Sequence, residues 1–595
     1  MGSSDPPAAS LLSPRIRGWM GFVLLVLGAQ CWLIIGHGDY GLQTQRWLLV
    51  AALGVSAVPA FHRRFAGLLD RVRHPSMRMR CLTALVIGAL ALIYLPLTAW
   101  RQNRDFGPIW QDSQSYAIQI QMLAQGRLWM PPHPLSDFFD TFQMIVKPVY
   151  ASMYFPGASL FYVPAEWLGV PYWLVSSVLS AACVGLMYWI VTQAIDGVAG
   201  LLAALMLLAQ EQFRTISIML LGHPAILFLA LAMIASWLMW RADKSWKWAL
   251  ILGFASGWAA ITRPLDGLII AIPIGIDMLL TLHRQPARRW GSSIGAVVGA
   301  AMPFLLLQVI FNVGVTGSWA RTPFDLHADL YYPGTSIGFH PFDPASRPDS
   351  ILPQKQKFHD EWTIPAIQRH QPGRVLGNWI NEDLNNLAVF TLPQAWLTLL
   401  LPAGIGGLIS RRRIMIVLTI PVWVLFYSLY TFFLPHYALV AAPGMILLVL
   451  LGVQQFEHTW LSIRPAVVTF LTLGIIILCL TQLNEFNRMV RDQMMDAREL
   501  GYIRARLAAG DVKRPAVVLF RFTERNSPAI EPVYNTDVAW PDDAPIIRAH
   551  DLGERNSEIF DYYAKHQPDR SFYLFDRGTG SLTYLGLARD LGHAD

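Results

Sequence analysis

The sequence predicts a polytopic all-α membrane protein with about 13 transmembrane helices and a small extracytoplasmic α/β domain at its C-terminus. Two observations lead to this fold class. Hydrophobic residues make up 54% of the 595 positions and charged residues only 14%, whereas about 25% of an ordinary soluble domain is charged. Apolar runs long enough to cross a bilayer also recur between residues 18 and 482. A water-soluble fold is excluded, because so few charges could not cover its surface.

The apolar runs give the predicted spans in chain order. They are residues 18–36, 46–61, 81–99, 172–193, 197–209, 224–240, 248–262, 265–282, 291–313, 387–409, 414–434, 437–455 and 465–482. The first run is longer than the core of a signal peptide, which has about 7–15 apolar residues, and no small-residue cleavage site follows it. We therefore expect it to remain as a helix. An odd number of crossings places the two chain ends on opposite sides of the membrane.

The distribution of Lys and Arg predicts the orientation. With residues 1–17 as a cytoplasmic tail, the short cytoplasmic segments carry 18 Lys and Arg residues. The short outer segments carry only Arg46, Arg214 and Arg263. We expect a multi-pass protein of the inner (plasma) membrane, and by the positive-inside rule its N-terminus lies in the cytoplasm and its C-terminus outside. The net charge of +6 follows from this orientation, and no basic stripe indicates a nucleic-acid partner.

The cysteines do not predict a disulfide. Cys31, Cys81, Cys183 and Cys479 all fall inside apolar runs rather than in the outer loops, and no CxxC pattern is present.

The sequence divides into a membrane domain, residues 18–482, and a C-terminal domain. Three long segments lie outside the membrane: the loops 100–171 and 314–386, and the C-terminal residues 483–595. In the last segment, PAVVLF (515–520) and SFYLF (571–575) predict strands, and NSEIFDYYAKH (556–566) predicts a helix. We therefore expect a small α/β domain docked on the outer face. Outer loops of this length are seldom without a function.

Asp112 is the leading catalytic candidate. It lies within residues 109–128, which predict an amphipathic helix in the membrane interface. Ala117 and Ile120 fall on the apolar face of this helix, and Tyr116 falls with Asp112 on the polar face. A carboxylate at this depth can accept the proton of a hydroxyl group that attacks an activated donor. The alternative that Asp112 is a helix N-cap or a surface acid stays open.

Two outer cations are candidates for binding a phosphate. Lys147, in IVKPVY, precedes the point where the chain re-enters the membrane, so its amine can meet a phosphate at headgroup depth. It can equally extend its amine to water as an ordinary interfacial lysine. Arg263 lies in ITRPLDGL, a tight turn between two apolar helices. A charge there costs free energy unless it pairs or binds a ligand, so the alternatives are a phosphate site and a salt bridge to Asp266.

Other outer turns contribute further candidates for the same pocket. His436 and Tyr437 lie in FLPHYALVAAPG, and His223 and Arg214 lie near another turn. Lone histidines more often have a structural role, and this alternative remains.

The sequence indicates no required cofactor. Asp325, His327 and Asp329 alternate in FDLHAD, so an extended chain would place them on one face, where they could hold a divalent metal. A solvated loop is the preferred interpretation. The sequence also lacks a Walker A loop and an HExxH motif, and it has no GxSxG or GxGxxG motif in a strand-turn-helix context. The usual sequence markers of ATP-driven transport and of serine hydrolysis are therefore absent.

The order of these motifs resembles the GT-C superfamily of integral membrane glycosyltransferases. The similarity is greatest to the branch of the protein O-mannosyltransferases and the aminoarabinose transferases of lipid A. It rests on WQDSQSY, KPVY, YFPGASLFYVPAEWLG, ITRP and PHYALVAAPG, which follow in this order within residues 81–455.

The resemblance implies a polyprenyl-phosphate sugar donor, an active site on the extracytoplasmic (periplasmic) face and inversion at the anomeric carbon. Asp112 would be the base, and Lys147 and Arg263 would hold the lipid phosphate. We expect His436 and Tyr437, from the outer-turn candidates above, to bind the donor phosphate with them. The leaving group would be an anionic phosphate, so neither a nucleotide pocket nor necessarily a metal is required.

Departures from the family pattern bear on the acceptor. Asp112 is followed by Ser instead of a second acid, two extra helices precede the core, and no WWD motif occurs. These points favour a glycan or lipid acceptor over a protein. One alternative function is a lipid-linked glycan transporter or flippase, but Asp277 is the chief acid inside a predicted span and no repeat is visible. A scaffold that binds a partner through the C-terminal domain is a third alternative, which no sequence feature favours.

Overall fold

The computed structural model describes residues 40–489, 494–508 and 510–592. The predicted first span 18–36, the tail 1–17 and Cys31 lie outside the described residues. Within the described part, seven helices are long and apolar enough to cross a membrane, or up to nine if two bent helix pairs each form one span. The seven are Met77–Arg101, Tyr172–Ala194, Gly222–Asp243, Pro264–Leu282, Ala287–Thr316, His436–Thr459 and Arg464–Leu483. A multi-pass membrane protein is thereby confirmed, and the count of 13 stays a prediction.

The other predicted spans correspond to bent or short helices. Residues 46–61 and 387–409 fall in pairs bent by 95° and 102°, namely Thr44–Ala57 with Pro59–Arg73 and Pro372–Thr391 with Ala395–Ile405. The remaining three predicted spans contain Gly197–Ala209, Trp246–Ala260, and the consecutive helices Arg411–Val417 and Thr419–Tyr427. A helix of 15 residues rises only about 23 Å, less than the roughly 30 Å of a bilayer core. Whether each of these helices crosses fully therefore stays a prediction.

The centre of the helix bundle is formed by helices that are buried on most sides. They are Tyr172–Ala194, Gly197–Ala209, Gly222–Asp243 and Ala442–Thr459. The long helix Ala287–Thr316 lies at the periphery, where only Ser293, Phe311, Asn312 and Val315 are buried. An apolar helix with so much exposed surface is explained by contact with lipid.

Both long loops lie with the C-terminal domain at one end of the bundle, which we call the loop side. The buried amine of Lys355 in the second loop lies 2.6 Å from a carboxylate oxygen of Asp140 in the first loop. His550 of the C-terminal domain approaches the Asp140 carbonyl to 2.9 Å. The loops contain the short helices Gln111–Ala124, Gly157–Leu160, Val163–Leu168, Pro323–Tyr331, Pro353–Phe358, Ile364–Arg369 and Pro372–Asn378, and the helix Leu384–Thr391 begins at the end of the second loop. They also contain the two-stranded antiparallel pair β1 (Met144–Ile145) and β2 (Ala151–Ser152).

Ion pairs join the helices at the opposite end of the bundle. Arg73 pairs with Asp196 at 2.8 Å and with Glu457 at 3.2 Å. Asp277, the acid inside a predicted span, pairs with Arg241 and accepts a 3.0 Å hydrogen bond from the Trp237 indole. A buried carboxylate that is paired in this way has a structural explanation. The chief acid inside a predicted span, which was weighed for the transporter alternative, is thus accounted for by helix packing.

The C-terminal domain contains a four-stranded sheet in the order β4-β3-β5-β6. The strands are β3 (Ala516–Arg521), β4 (Ile546–His550), β5 (Ser571–Asp576) and β6 (Ser581–Leu587), and only β6 pairs in the antiparallel direction. Because side chains alternate along a strand, β3 presents Val517 and Leu519 to the helix Asn556–His566 and Val518 and Phe520 to the helix Met494–Ala508. The predicted strands 515–520 and 571–575 and the predicted helix 556–566 are confirmed.

Candidate functional site

Asp112 lies in the first turn of the helix Gln111–Ala124, which we call the Asp112 helix. The prediction that this helix lies amphipathically in the membrane interface is wrong, because every residue from Ser113 to Ile120, polar and apolar alike, is buried. One side packs on Tyr162 and Leu220 of the membrane domain. The other side packs on Tyr534 of the C-terminal domain. The helix is therefore enclosed between the two domains.

The Asp112 carboxylate is held in an environment suited to a base. The N-cap of the helix is Trp110, so the alternative that Asp112 is the N-cap is wrong. Burial raises the pKa of Asp112 above its ordinary value, although a hydrogen bond with Tyr154 and the positive charge of Arg263 both oppose the rise. Asp112 nevertheless keeps part of its surface accessible. A raised pKa makes the ionised carboxylate a better proton acceptor.

Arg263 is fixed from several sides at the start of the helix Pro264–Leu282. Its Nε donates a 2.5 Å hydrogen bond to Asp266, and the Tyr427 hydroxyl donates a 2.7 Å bond to the other oxygen of that carboxylate. Its Cζ also lies 4.6 Å from the ring centroid of Tyr437. The salt bridge to Asp266 considered from the sequence is thus present. It occupies only part of a guanidinium that has five N–H donors, so a phosphate role remains compatible with it.

Two of the turns identified in the sequence dock directly on each other. The N–H of Gly157, in YFPG, donates a 2.6 Å hydrogen bond to the carbonyl of Ile261, in ITRP. The indole of Trp258 donates a 2.7 Å bond to the Gly157 carbonyl. A Cβ atom at position 157 would lie 2.4 Å from the Ile261 oxygen. Only glycine permits this close approach of the two turns.

Two histidines complete this group. The ring of His223 lies edge-on to His436, with 4.5 Å between centroids, and stacks on Tyr437 at 5.6 Å. Tyr116 stacks on Tyr154 at 4.4 Å, and its hydroxyl would lie 2.9 Å from a Cβ atom at Gly222. The structure therefore brings together six of the predicted site residues, which we call the Asp112 cluster: Asp112, Tyr116, His223, Arg263, His436 and Tyr437.

The structure does not bring Lys147 or Arg214 into the cluster. The exposed amine of Lys147 lies 2.7 Å from Asp137, and Arg555 binds the other oxygen of the same carboxylate at 3.1 Å. Arg214 is buried between helices, where it donates a 3.4 Å hydrogen bond to the Gln482 carbonyl. The phosphate role of Lys147 and the pocket role of Arg214 stay predictions.

The FDLHAD segment is not extended as the metal hypothesis requires. It forms the helix Pro323–Tyr331, in which Asp325 makes a capping box with Thr322. His327 is buried, and Asp329 pairs with Arg321 at the surface. Over the described ranges, no group of three or more His, Cys, Asp or Glu side chains is arranged to hold a metal ion.

Sequence reasoning missed the tyrosines around the cluster. Tyr154 forms a hydrogen bond with Asp112, and Tyr427 bonds to Asp266. Tyr332 of the second loop is close enough for the Asp112 charge to contribute to raising its pKa, together with burial. Tyrosines are common where helices meet the membrane interface, so no signal in the sequence separated these from the others. Only the YFPG motif drew attention to the neighbourhood of Tyr154.

A family model described as dolichyl-phosphate-mannose-protein mannosyltransferase matches residues 135–332. This stretch is about a third of the chain and contains Lys147, His223 and Arg263, whereas Asp112 precedes it. The match confirms the resemblance to membrane glycosyltransferases that the motifs indicated. No curated protein sequence matches the chain.

Similar solved structures include ArnT from Cupriavidus metallidurans bound to undecaprenyl phosphate. The TM-score is 0.49 at 12% sequence identity, covering 86% of this chain and 99% of that one. The apo state of the same protein gives a TM-score of 0.48 with the same identity and coverage. The apo oligosaccharyltransferase of Archaeoglobus fulgidus gives 0.48 at 12% identity, covering 83% of this chain and 69% of that one. Similarity at this level carries no information on the reaction of the present chain.

Proposed function

We propose that this protein is an inverting glycosyltransferase. It moves a sugar from a polyprenyl-phosphate-linked donor to a glycan or lipid acceptor on the extracytoplasmic face of the membrane. The observation that carries the proposal is the meeting of a carboxylate with a raised pKa, Asp112, and a fixed guanidinium, Arg263, beneath the loops of a membrane-spanning bundle. The family match, whose description names dolichyl-phosphate mannose as the donor, supports the same class of donor.

In the proposed reaction, Asp112 accepts the proton of an acceptor hydroxyl while the hydroxyl oxygen attacks the anomeric carbon. A new glycosidic bond forms, and the bond from that carbon to the phosphate oxygen breaks. The electron pair leaves with the polyprenyl phosphate, whose growing negative charge is stabilised by Arg263. Attack from the side opposite the phosphate inverts the anomeric configuration. Because the Arg263 side chain stabilises the negative charge of the leaving phosphate, we propose that no cofactor is required.

The burial of the Asp112 helix supports transfer over hydrolysis. The helix is covered by the C-terminal domain on one side and by the membrane domain on the other. A dry environment strengthens the attraction between the phosphate and Arg263 and limits competing attack by water. The uncovered part of Asp112 is the surface that an acceptor would meet.

We further propose the inner membrane as the location, with the loop side facing outward. The distribution of Arg and Lys supports this orientation, because Arg73, Arg241 and Arg411 lie at the end of the bundle opposite the long loops. The active site would then face the compartment in which lipid-linked sugars are used to build the cell envelope.

The proposal is tested with Asp112→Asn in purified protein reconstituted in lipid nanodiscs. We expect the variant to fold normally and to release polyprenyl phosphate from a sugar-linked donor about 10²–10⁴-fold more slowly, since the base is lost. Asp105→Asn is the matched control, because Asp105 is an acid of the same loop that pairs with Arg504 near the surface.

A folded Asp112→Asn protein that transfers sugar at the unaltered rate would remove Asp112 as the base. Reconstitution in vesicles separates the transporter alternative, because a flippase would move the donor across the membrane without consuming it. Donor consumption with release of free polyprenyl phosphate supports the transferase.

A further inference from the structure

The helix Gly222–Asp243, which we call the His223 helix, begins inside the protein without a cap. Its N-cap residue Leu221 offers no side-chain hydrogen bond, and its first turn contains no acid. The helix Pro264–Leu282 begins nearby but carries Asp266 in its first turn. The first four N–H groups of a helix have no partner within it and carry partial positive charge. A buried helix start without a cap therefore favours an anionic ligand.

The hydrogen-bond donors at this helix start can be counted. The N–H of Leu221 bonds to the Met219 carbonyl, and Pro224 has no N–H. The N–H groups of Gly222 and His223 remain, and neither bonds to an acceptor in the described part of the chain. All four residues from Leu221 to Pro224 are buried. Two adjacent backbone donors therefore point out of the helix into the protein interior.

The side chain of His223 provides the second, independent observation. It is 5% exposed, and neither ring nitrogen has a hydrogen-bond partner among the residues that the structure describes. Buried polar groups are satisfied in the large majority of cases. The ring contacts His436 and Tyr437, and Arg263 acts on it electrostatically. The unpartnered imidazole therefore lies within the Asp112 cluster, beside its only guanidinium.

The charges of the cluster show why additional donors are needed. Asp112 brings a carboxylate, and Arg263 is the one member with a permanent positive charge, part of which is engaged by the neighbouring Asp266. Lys147 is paired with Asp137 outside the cluster. A donor phosphate would add a further negative charge to this set. The backbone N–H groups of the His223 helix supply positive potential at a place where a free cation is lacking among the described residues.

We propose that the start of the His223 helix and the His223 ring form an anion site that, together with Arg263, holds the phosphate of the lipid-linked donor. This assignment rests on the proposed function. In this site the phosphate oxygens accept hydrogen bonds from the two unpaired backbone N–H groups and from one imidazole nitrogen. It also places the leaving group against a helix terminus that needs no reorganisation during the reaction.

The test is the binding of undecaprenyl phosphate, which carries no sugar, to the full-length protein in nanodiscs. His223→Asn and His223→Asp have nearly the same shape and differ in charge. We expect the Asn variant to bind within about threefold of the unaltered protein, because the amide retains a donor. The Asp variant places its own carboxylate at the helix start, so we expect its Kd to rise ~10-fold or more. Melting temperatures check that both variants fold.

His370→Asp and His370→Asn are the matched controls for exchanging a partly buried loop histidine, and both should bind like the unaltered protein. A direct readout uses protein labelled with ¹⁵N at histidine, which marks both the backbone N–H and the ring of His223. In solid-state NMR, dipolar recoupling between ³¹P of the bound lipid and the ¹⁵N label should be detectable in the unaltered protein. It should be weaker in His223→Asn, which lacks the label at this position.

The outcomes separate this inference from the proposed function. Equal affinities of His223→Asp and His223→Asn, or recoupling that is unchanged in His223→Asn, would overturn the anion site. If the anion site is overturned but Arg263→Gln still weakens the binding of undecaprenyl phosphate, the transferase proposal stands without the anion site. If the unaltered protein binds no undecaprenyl phosphate, the donor class of the proposed function fails together with the anion site.

Discussion

Replacing Gly157 by alanine tests whether the contact between the YFPG and ITRP turns sets the geometry of the site. The added Cβ would lie 2.4 Å from the Ile261 carbonyl oxygen, 2.5 Å from the Thr262 hydroxyl and 2.6 Å from the Ile261 carbonyl carbon. Ordinary van der Waals contact begins at 3.4 Å. The atoms that clash are mainly backbone, so they cannot rotate away. The two turns must therefore separate by about 1 Å.

A separation of this size has two expected costs. The hydrogen bond from Gly157 to Ile261 is lengthened, and crowding of a packed site costs about 1–3 kcal/mol of folding free energy. Tyr154 lies three residues before Gly157 and Arg263 lies two residues after Ile261, so Asp112 and Arg263 lose their relative position. A misplacement of about 1 Å can lower a catalytic rate by about 10²-fold. We therefore expect kcat/KM of sugar transfer to fall by roughly this factor.

The assay compares Gly157→Ala with Gly373→Ala. At Gly373 a Cβ atom would meet nothing within 4 Å, and the residue lies in the loop-side helix Pro372–Asn378. Transfer of sugar and the melting temperature are measured for both variants. If Gly157→Ala keeps kcat/KM within about threefold of the unaltered protein while it remains folded, the docking of the turns does not set the catalytic geometry.

Two further changes test single contacts. Tyr154→Phe removes a hydrogen bond that favours the ionised form of Asp112, so the pKa of Asp112 should rise and the acid limb of the kcat/KM profile should move to higher pH; a limb that stays in place or moves to lower pH would contradict this. Lys355→Met removes the positive charge paired with the buried Asp140 and leaves it only the hydroxyl of Ser350 as a side-chain donor, so we expect a loss of about 3–5 kcal/mol in unfolding free energy. Arg347→Met, which removes an exposed ion pair, should cost only about 0–1 kcal/mol; equal losses in denaturant unfolding would refute the structural role of Lys355.

Hydropathy was sufficient to predict the membrane class but not the continuity of each helix. Residues 81–99, 172–193 and 224–240 appear as long helices close to the predicted bounds. The apolar run 387–409 contains Pro393 and breaks in the structure, since proline disfavours helix at the residue before it. The apolar composition of a segment determines its free energy of transfer into lipid, but it does not determine where the backbone bends.

The site was predictable where a charge or a histidine occupied a turn in which such groups are costly. This reasoning identified Arg263, His223 and His436, which the structure brings together. It could not place Lys147, because the partner Asp137 lies ten residues earlier in a loop whose path depends on tertiary contacts. The burial of the Asp112 helix was missed for a similar reason, as its second covering surface is contributed by the C-terminal domain.

The enclosure of the Asp112 helix has a consequence for biosynthesis. Gln111 bonds to the carbonyl of Ala529, more than 400 positions later in the chain, and Phe138 and Phe139 of the first loop pack into the core of the C-terminal domain. A nascent polypeptide interrupted after residue 489 would already contain every described bilayer-crossing segment. The aromatic rings of Phe138 and Phe139 would still be exposed to solvent, because the domain that covers them would be absent. Completion of the Asp112 cluster must therefore await translation of the C-terminal domain. The apolar surface that stays exposed until then is one by which cellular quality control can detect unfinished copies.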